Sequence, residues 1–454
     1  MKPINEISSN QVKQTYFFYS KNRKKAVDPA LNQLAEKIDA NGDGVISDQE
    51  LKAYLSKDSV QILKYAPDPN LKSGINLYQV DQERVITEYK QSLTGKPAVP
   101  QGYHSYEEIN ENLKSLAERY PDKAQLVSLG KTYEHRDIWA LKIGDSEGRE
   151  ASQKPGLVIT GATHAREWPT PEITLNLANR LLEEYSSDPE MKNRVDNTEI
   201  WLVPVANPDG FVFTRTKYNM WRKNHRPIEQ TACDLLNQPQ EPPQKPSHSK
   251  VRQYNLLQGI GVDINRNYYD GNPEHFHLYR APGDDPCSTK DDPWGTSDDP
   301  NSECYRGPAG ASEAETKALT ELELNTPNIK GVLDFHSYGG MILIPSGYTT
   351  EPVENLEEYL TIGHNMQKAM GGRYRLMPSH DLYATYGNSN DMHHINGKIG
   401  MTMEVGSSFQ PAGKQLQQTV EEVTKAALSF IDHFAEQNQS EAKRGKKNEA
   451  YLQN

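Results

Sequence analysis

A histidine and a glutamate three residues apart, His164 and Glu167, stand directly after the apolar run Leu157-Val158-Ile159-Thr160 and Gly161. On a turn or at a helix start, residues at this spacing share one face, and imidazole nitrogen and carboxylate oxygen are both zinc ligands. A His-x-x-Glu pair alone is common as a surface pair. Position gives this one its weight, because open α/β sheets put their sites just beyond strand ends. A second histidine, His336, closes another strand-like run, Val332-Leu333-Asp334-Phe335. Two histidines and one carboxylate leave the fourth position of a zinc ion open to water, the arrangement of a catalytic site. Zinc can bring the pKa of such a water to about 7. A further carboxylate, Glu404, ends the run Met401-Thr402-Met403. A carboxylate in that setting is costly unless it is paired or in use.

The N-terminal part carries a different metal chemistry. Asp39 to Glu50 fits the twelve-residue EF-hand calcium loop. Asp39, Asn41 and Asp43 offer side-chain oxygens, Val45 a backbone carbonyl, Ser47 a contact through water and Glu50 two oxygens, while Gly44 permits the sharp turn. At least one bound Ca2+ is therefore expected. Residues 68–79 have the outline of a degenerate partner loop, with Gln79 in place of the bidentate glutamate.

The elements that must position these groups divide the chain. Its 454 residues suggest roughly two to three domains. Residues 1–98 read as a small, helical, EF-hand-like domain, and 99–102 as the end of a Pro- and Gly-rich linker. Residues 103–436 read as α/β. Ser105 with Glu108 makes a capping box before Ile109, Leu113 and Leu116, and the spacing predicts a helix over 170–185. Strands are expected at 126–129, 138–143, 157–160, 199–205 and 331–335, the last three as continuous apolar runs of a sheet covered on both faces. Residues 225–310 are long and irregular, as a functional loop or an insertion is. The polar, Lys- and Gln-rich segment 437–454 is expected to be disordered.

The net charge of −12 argues against nucleic acid as a partner, since phosphate binding needs a basic face. No run of 18 apolar residues predicts a membrane span. The N-terminal cluster Tyr16–Tyr19 is too short for a signal-peptide core, so the cytoplasm, or export by a route that reads no such signal, is expected. Cys233, Cys287 and Cys304 are too few for a disulfide framework. One Cys287–Cys304 bridge and three free thiols are the states left open.

Taken together, the blocks resemble a known family. His164-Ala165-Arg166-Glu167-Trp168, Asn207-Pro208-Asp209-Gly210-Phe211, Trp221-Arg222-Lys223-Asn224, Asp263-Ile264-Asn265-Arg266-Asn267, Asp334-Phe335-His336-Ser337-Tyr338 and Thr402-Met403-Glu404 occur in the order found in zinc metallocarboxypeptidases of the carboxypeptidase A/B type, the M14 peptidase family. The resemblance covers about residues 103–436. It implies a mixed, mostly parallel eight-stranded sheet flanked by helices, and hydrolysis of the C-terminal peptide bond of a peptide or protein by a zinc-activated water. It assigns the zinc to His164, Glu167 and His336, and the general base to Glu404. Arg222 is assigned to the oxyanion, and Asn265 and Arg266 to the terminal carboxylate. Tyr383 becomes a capping phenol, Arg166 part of an outer subsite and Asn390 the base of the side-chain pocket. The N-terminal domain would then stand where the family often carries a pro-segment. Three positions depart from the usual pattern: Asn390 is neither acidic nor aliphatic, Asn219 replaces an arginine and His135 replaces a glycine. Two alternatives use the same scaffold, a peptidoglycan-peptide hydrolase, which Asn390 allows, and a calcium-responsive binding protein that has lost catalysis.

Overall fold

The computed structural model describes residues 102–144, 154–228, 260–284 and 295–452. The calcium loop (Asp39, Asn41, Asp43, Val45 and Glu50) and its degenerate partner at 68–79 lie outside them, as do Cys233 and Cys287.

Eight strands form one sheet: β1 (Ala124–Lys131), β2 (Asp137–Ile143), β3 (Gly156–Thr160), β4 (Glu199–Val203), β5 (Ile329–His336), β6 (Met341–Ile344), β7 (Arg375–Pro378) and β8 (Ile399–Glu404). Their order is β1-β2-β4-β3-β5-β8-β6-β7. The β3–β4, β3–β5, β5–β8 and β6–β7 pairings are parallel, and the others antiparallel. The helices are α1 (Tyr106–Arg119), α2 (Pro169–Glu183), α3 (Pro189–Asn197), α4 (Pro208–Thr216), the single turn α5 (Phe276–Tyr279), α6 (Ala314–Asn325), α7 (Leu356–Ala369), α8 (Ser389–Ile395) and α9 (Lys414–Leu452). The capping box opens α1 as expected, with the Ser105 and Glu108 side chains each taking the other's backbone N–H.

Alternation along the central strands separates two cores. Leu157 and Ile159 of β3, with Leu333 and Phe335 of β5, join a cluster with α1, α2, α3, α7 and α9. Val158 and Val332 face the other way, against Ala318, Leu319 and Leu322 of α6 and Met392 of α8. Burial on both faces is why these strands read as unbroken apolar runs rather than as alternating ones.

Three local features bear on the sequence reading. First, α9 continues to Leu452, through most of the segment expected to be disordered. Glu, Ala, Lys, Gln and Arg are good helix formers, and a helix already nucleated by its buried turns, including Phe430, Ile431 and Phe434, propagates cheaply. Second, Cys304 is a free thiol. Third, two acidic residues of the 225–310 region, Asp284 and Asp298, are held by buried arginines. Arg280 clamps Asp298 through two hydrogen bonds of 2.8 and 2.6 Å, and buried Arg306 reaches Asp284 at 2.9 Å.

His135, at the β1–β2 turn, takes a φ of 64° with its side chain exposed. Left-handed backbone costs a non-glycine residue on the order of 1 kcal/mol, which accounts for glycine as the usual residue here. His135→Gly is expected to raise stability by about 0.5 kcal/mol once the added freedom of the unfolded chain is counted. A urea midpoint that stays put or falls would refute this.

Candidate active site

The site is assembled at the C-terminal ends of the adjacent strands β3, β5 and β8. After β3 the chain turns at Gly161, where a Cβ would lie 2.8 Å from the Thr170 carbonyl and 2.9 Å from that of Pro204. Only glycine fits between those carbonyls. The following loop carries His164 and Glu167 and is fixed by backbone bonds from Ala165 to the Arg222 carbonyl and from Trp168 to that of Phe409. Asn207, which caps α4, also donates to the carbonyls of Thr163 and Lys223, at 3.2 Å each. It thereby ties the ligand loop to the Arg222 segment. His336 ends β5 and Glu404 ends β8, and the two are register partners.

His164, Glu167 and His336 are all buried, and one donor atom from each lies within 4.8 Å of the others. His164 Nδ1 is 2.9 Å from Glu167 Oε1 and 2.9 Å from His336 Nδ1, which is in turn 3.2 Å from Glu167 Oε2. The outer nitrogens are both occupied, His164 Nε2 by Asp263 at 3.1 Å and His336 Nε2 by Asp334 at 2.8 Å. An Nε2–H donated to a carboxylate leaves each neutral ring with its Nδ1 lone pair turned inward. Two such lone pairs and a carboxylate facing one another repel unless a cation lies among them. The donor set suits zinc, and histidine ligands normally give their other N–H to a carboxylate in this way.

Without a cation, the cluster holds charge in another form. Burial alone would lower the His336 imidazole, but Asp334 and Glu167 overcome it and hold the ring well above its usual range. Burial would raise Glu167, yet His164 and His336 hold it far below the usual carboxylate range. Glu404 is different. Its carboxylate has no hydrogen bond or ion pair with the described residues, and burial, reinforced by Glu167, pushes it up to about 7.

This arrangement is matched by known proteins. The family model described as zinc carboxypeptidase matches residues 109–426.

The chain belongs to the zinc carboxypeptidase family.

Mouse carboxypeptidase A4 is 27% identical over 341 residues, covering 73% of this chain and 70% of its own. Bovine thrombin-activatable fibrinolysis inhibitor, solved in complex with tick carboxypeptidase inhibitor, is 26% identical with a TM-score of 0.58, and the match covers 74% of this chain and 98% of that one. A carboxypeptidase A from Helicoverpa armigera is 23% identical over 78% of this chain and 80% of its own, with a TM-score of 0.59, and shares the fold. The protein is thus an enzyme of the metallocarboxypeptidase type, acting on peptide C-termini, and no described helix is long and apolar enough to cross a membrane.

The remaining residues singled out in this zinc carboxypeptidase fall around the cluster. Arg222 Nε donates to Asp263 Oδ2 at 2.9 Å, so one buried carboxylate holds both His164 and Arg222. Arg266 is buried. Its Nε donates to the Gly295 carbonyl at 2.6 Å, its Nη1 to that of Asn265 at 2.7 Å, and its Nη2 lies 3.5 Å from the Tyr383 hydroxyl. Tyr383 is partly exposed and rests on Gly295, where a Cβ would meet its ring at 2.9 Å. Asn265 is more engaged than expected: Oδ1 accepts from Ser389 N at 2.8 Å, and Nδ2 lies 3.4 Å from His336 Nε2. Arg166 reaches Glu303 at 3.1 Å and lies 4.5 Å over the Phe409 ring. Asn390 is buried on α8. Its Oδ1 accepts from Thr402 Oγ1 at 2.8 Å and its Nδ2 faces Ser379 Oγ at 3.3 Å and the Leu343 carbonyl at 3.4 Å.

Asp263 and Asp334 were visible in the sequence only as members of the matching blocks, with no role attached. For Asp334 a signal existed: residues two apart on a strand share a face, so it had to lie beside His336. For its hold on His164 and Arg222, Asp263 gave no comparable signal, because those residues are 99 and 41 positions away.

Proposed function

We propose that this enzyme hydrolyses the last peptide bond of peptides, with Glu404 as general base and then general acid. The observation that carries the proposal is Glu404 itself, an unpaired carboxylate that is the register partner of the ligand-like His336 and is pushed up to about 7. Zinc at His164, Glu167 and His336, when bound, supplies Lewis-acid polarisation of the scissile carbonyl and a more acidic water.

The rest of the chemistry belongs to the chain. Glu404 takes the proton from the attacking water and returns it to the departing amine, a pair of roles suited to a carboxylate with a pKa near the working pH. Arg222 is held rigid by Asp263 and keeps Nη1 without a partner among the described residues, so a fixed cation meets the oxyanion as it forms. Arg266 and the Tyr383 hydroxyl converge on one place, which suits the terminal carboxylate of the substrate. Asn265 supports this clamp through its carbonyl contact with Arg266 and its link to α8. Beside it, Asn390, Ser379 and Thr402 form an uncharged, hydrogen-bonding base. It favours a polar, uncharged C-terminal side chain over a basic or a large apolar one. Arg166, held by Glu303 over Phe409, lines the outer side.

Mass spectrometry of a mixed peptide pool tests the proposal, since loss of single C-terminal residues is expected, polar ones foremost. Internal cleavage would sink it. Capping the terminus as an amide, or Arg266→Ala, is expected to lower kcat/KM by about 10²–10³-fold, as removing one partner of a buried charge pair costs roughly 3–4 kcal/mol. Equal turnover of free and amidated peptides would remove Arg266 from the carboxylate clamp.

A further inference from the structure

Asp334 lies two residues before His336 on β5 and is 2% exposed. Oδ2 accepts from His336 Nε2 at 2.8 Å and from Ser389 Oγ at 3.3 Å, while Oδ1 accepts from Thr160 Oγ1 at 2.5 Å and Thr163 Oγ1 at 3.1 Å. These donors come from the end of β3, the ligand loop, β5 and the first residue of α8. A buried carboxylate is expensive unless it is paired and hydrogen-bonded, and here every donor is supplied by the protein, with none left for substrate. Asp263 is shared between His164 and Arg222, whereas Asp334 serves one imidazole alone.

We infer that Asp334 is a positioning residue for the metal: it locks His336 in the Nε2–H tautomer with Nδ1 turned toward Glu167 and His164, and its charge makes that nitrogen a stronger donor. The inference rests on the reading of His164, Glu167 and His336 as the zinc site. The two contributions separate by substitution. In Asp334→Asn the amide carbonyl can still face His336 Nε2–H, with the NH2 turned to the Thr160 and Thr163 hydroxyls, which accept as well as donate. The tautomer survives and the charge is lost. Asp334→Ala loses both.

The test is the zinc affinity of the full chain, measured by competition with a chelating dye for the wild type, Asp334→Asn and Asp334→Ala. One zinc per wild-type chain is expected, bound about 10-fold more weakly by the asparagine variant and about 100-fold more weakly by the alanine variant, within the range found for outer partners of ligating histidines. The visible absorption bands of the cobalt-loaded protein should move in both variants. A wild type that takes up no zinc overturns the reading of the cluster itself. A wild type that binds one zinc, with variants that bind it equally well, overturns the positioning role alone. A lower melting temperature at unchanged zinc affinity overturns it too, because that is the mark of a purely structural residue. Should the alanine variant fail to fold, the isosteric asparagine variant decides by itself.

Discussion

Glu404→Gln is expected to lower kcat by about 10²–10⁴-fold, or about 3–5 kcal/mol of transition-state stabilisation, with zinc content and KM little changed. Glutamine keeps the size of the side chain at the end of β8 and loses its capacity to take a proton. The loss should appear in kcat because no described residue hydrogen-bonds or ion-pairs with this carboxylate. The pH profile gives a second, independent readout. The base works only when ionised, so kcat/KM must fall as pH drops below its pKa. Burial and the Glu167 carboxylate raise that pKa to about 7 before any cation is counted, and a divalent ion beside Glu167 draws it back down. The acid limb of the wild type therefore lies below about 7, and in the variant it should vanish. A variant that keeps full activity, or the same acid limb, would take the role away from Glu404.

Removing zinc should have an effect at least as large. Exhaustive chelation is expected to abolish activity, and one equivalent of zinc per chain to restore it, while His336→Ala should stay inactive even with zinc in excess. Stability should follow the metal: at a free concentration about a thousand times Kd, zinc binding adds about 4 kcal/mol. The sign with pH follows from the histidine. Asp334 and Glu167 hold the metal-free His336 well above its usual range, so the empty site carries a proton at neutral pH that zinc must displace. Apparent zinc affinity should therefore weaken as pH falls. Full activity after chelation, checked by metal analysis, would end the zinc reading.

The sequence by itself pointed to the central strands: Leu157–Thr160 and Gly331–Phe335 lie in strands buried on both faces, and the run read over 199–205 forms a strand at Glu199–Val203. It also placed His164, Glu167, His336 and Glu404 at strand ends, where a parallel sheet delivers them to one edge. Short strands such as β6 and β7, four residues each, carried no such signal, because their pattern is too brief to separate from a loop. The polar end of α9 was misread for a related reason: composition reports the lack of a buried face and not the packed turns upstream that nucleate the helix.

What only the tertiary structure decided is the set of partners that fix each functional group. Arg280 and Arg306 fold onto Asp298 and Asp284, and this loop brings the Gly295 carbonyl to Arg266. Asp263 joins His164 to Arg222, and Asp334 gathers Thr160, Thr163, His336 and Ser389 around one carboxylate. Periodicity is a local property and survives in one dimension. A hydrogen bond between residues far apart in the chain exists only once the sheet has brought their strands side by side, and these bonds set the charge and orientation of the groups that the sequence could only name.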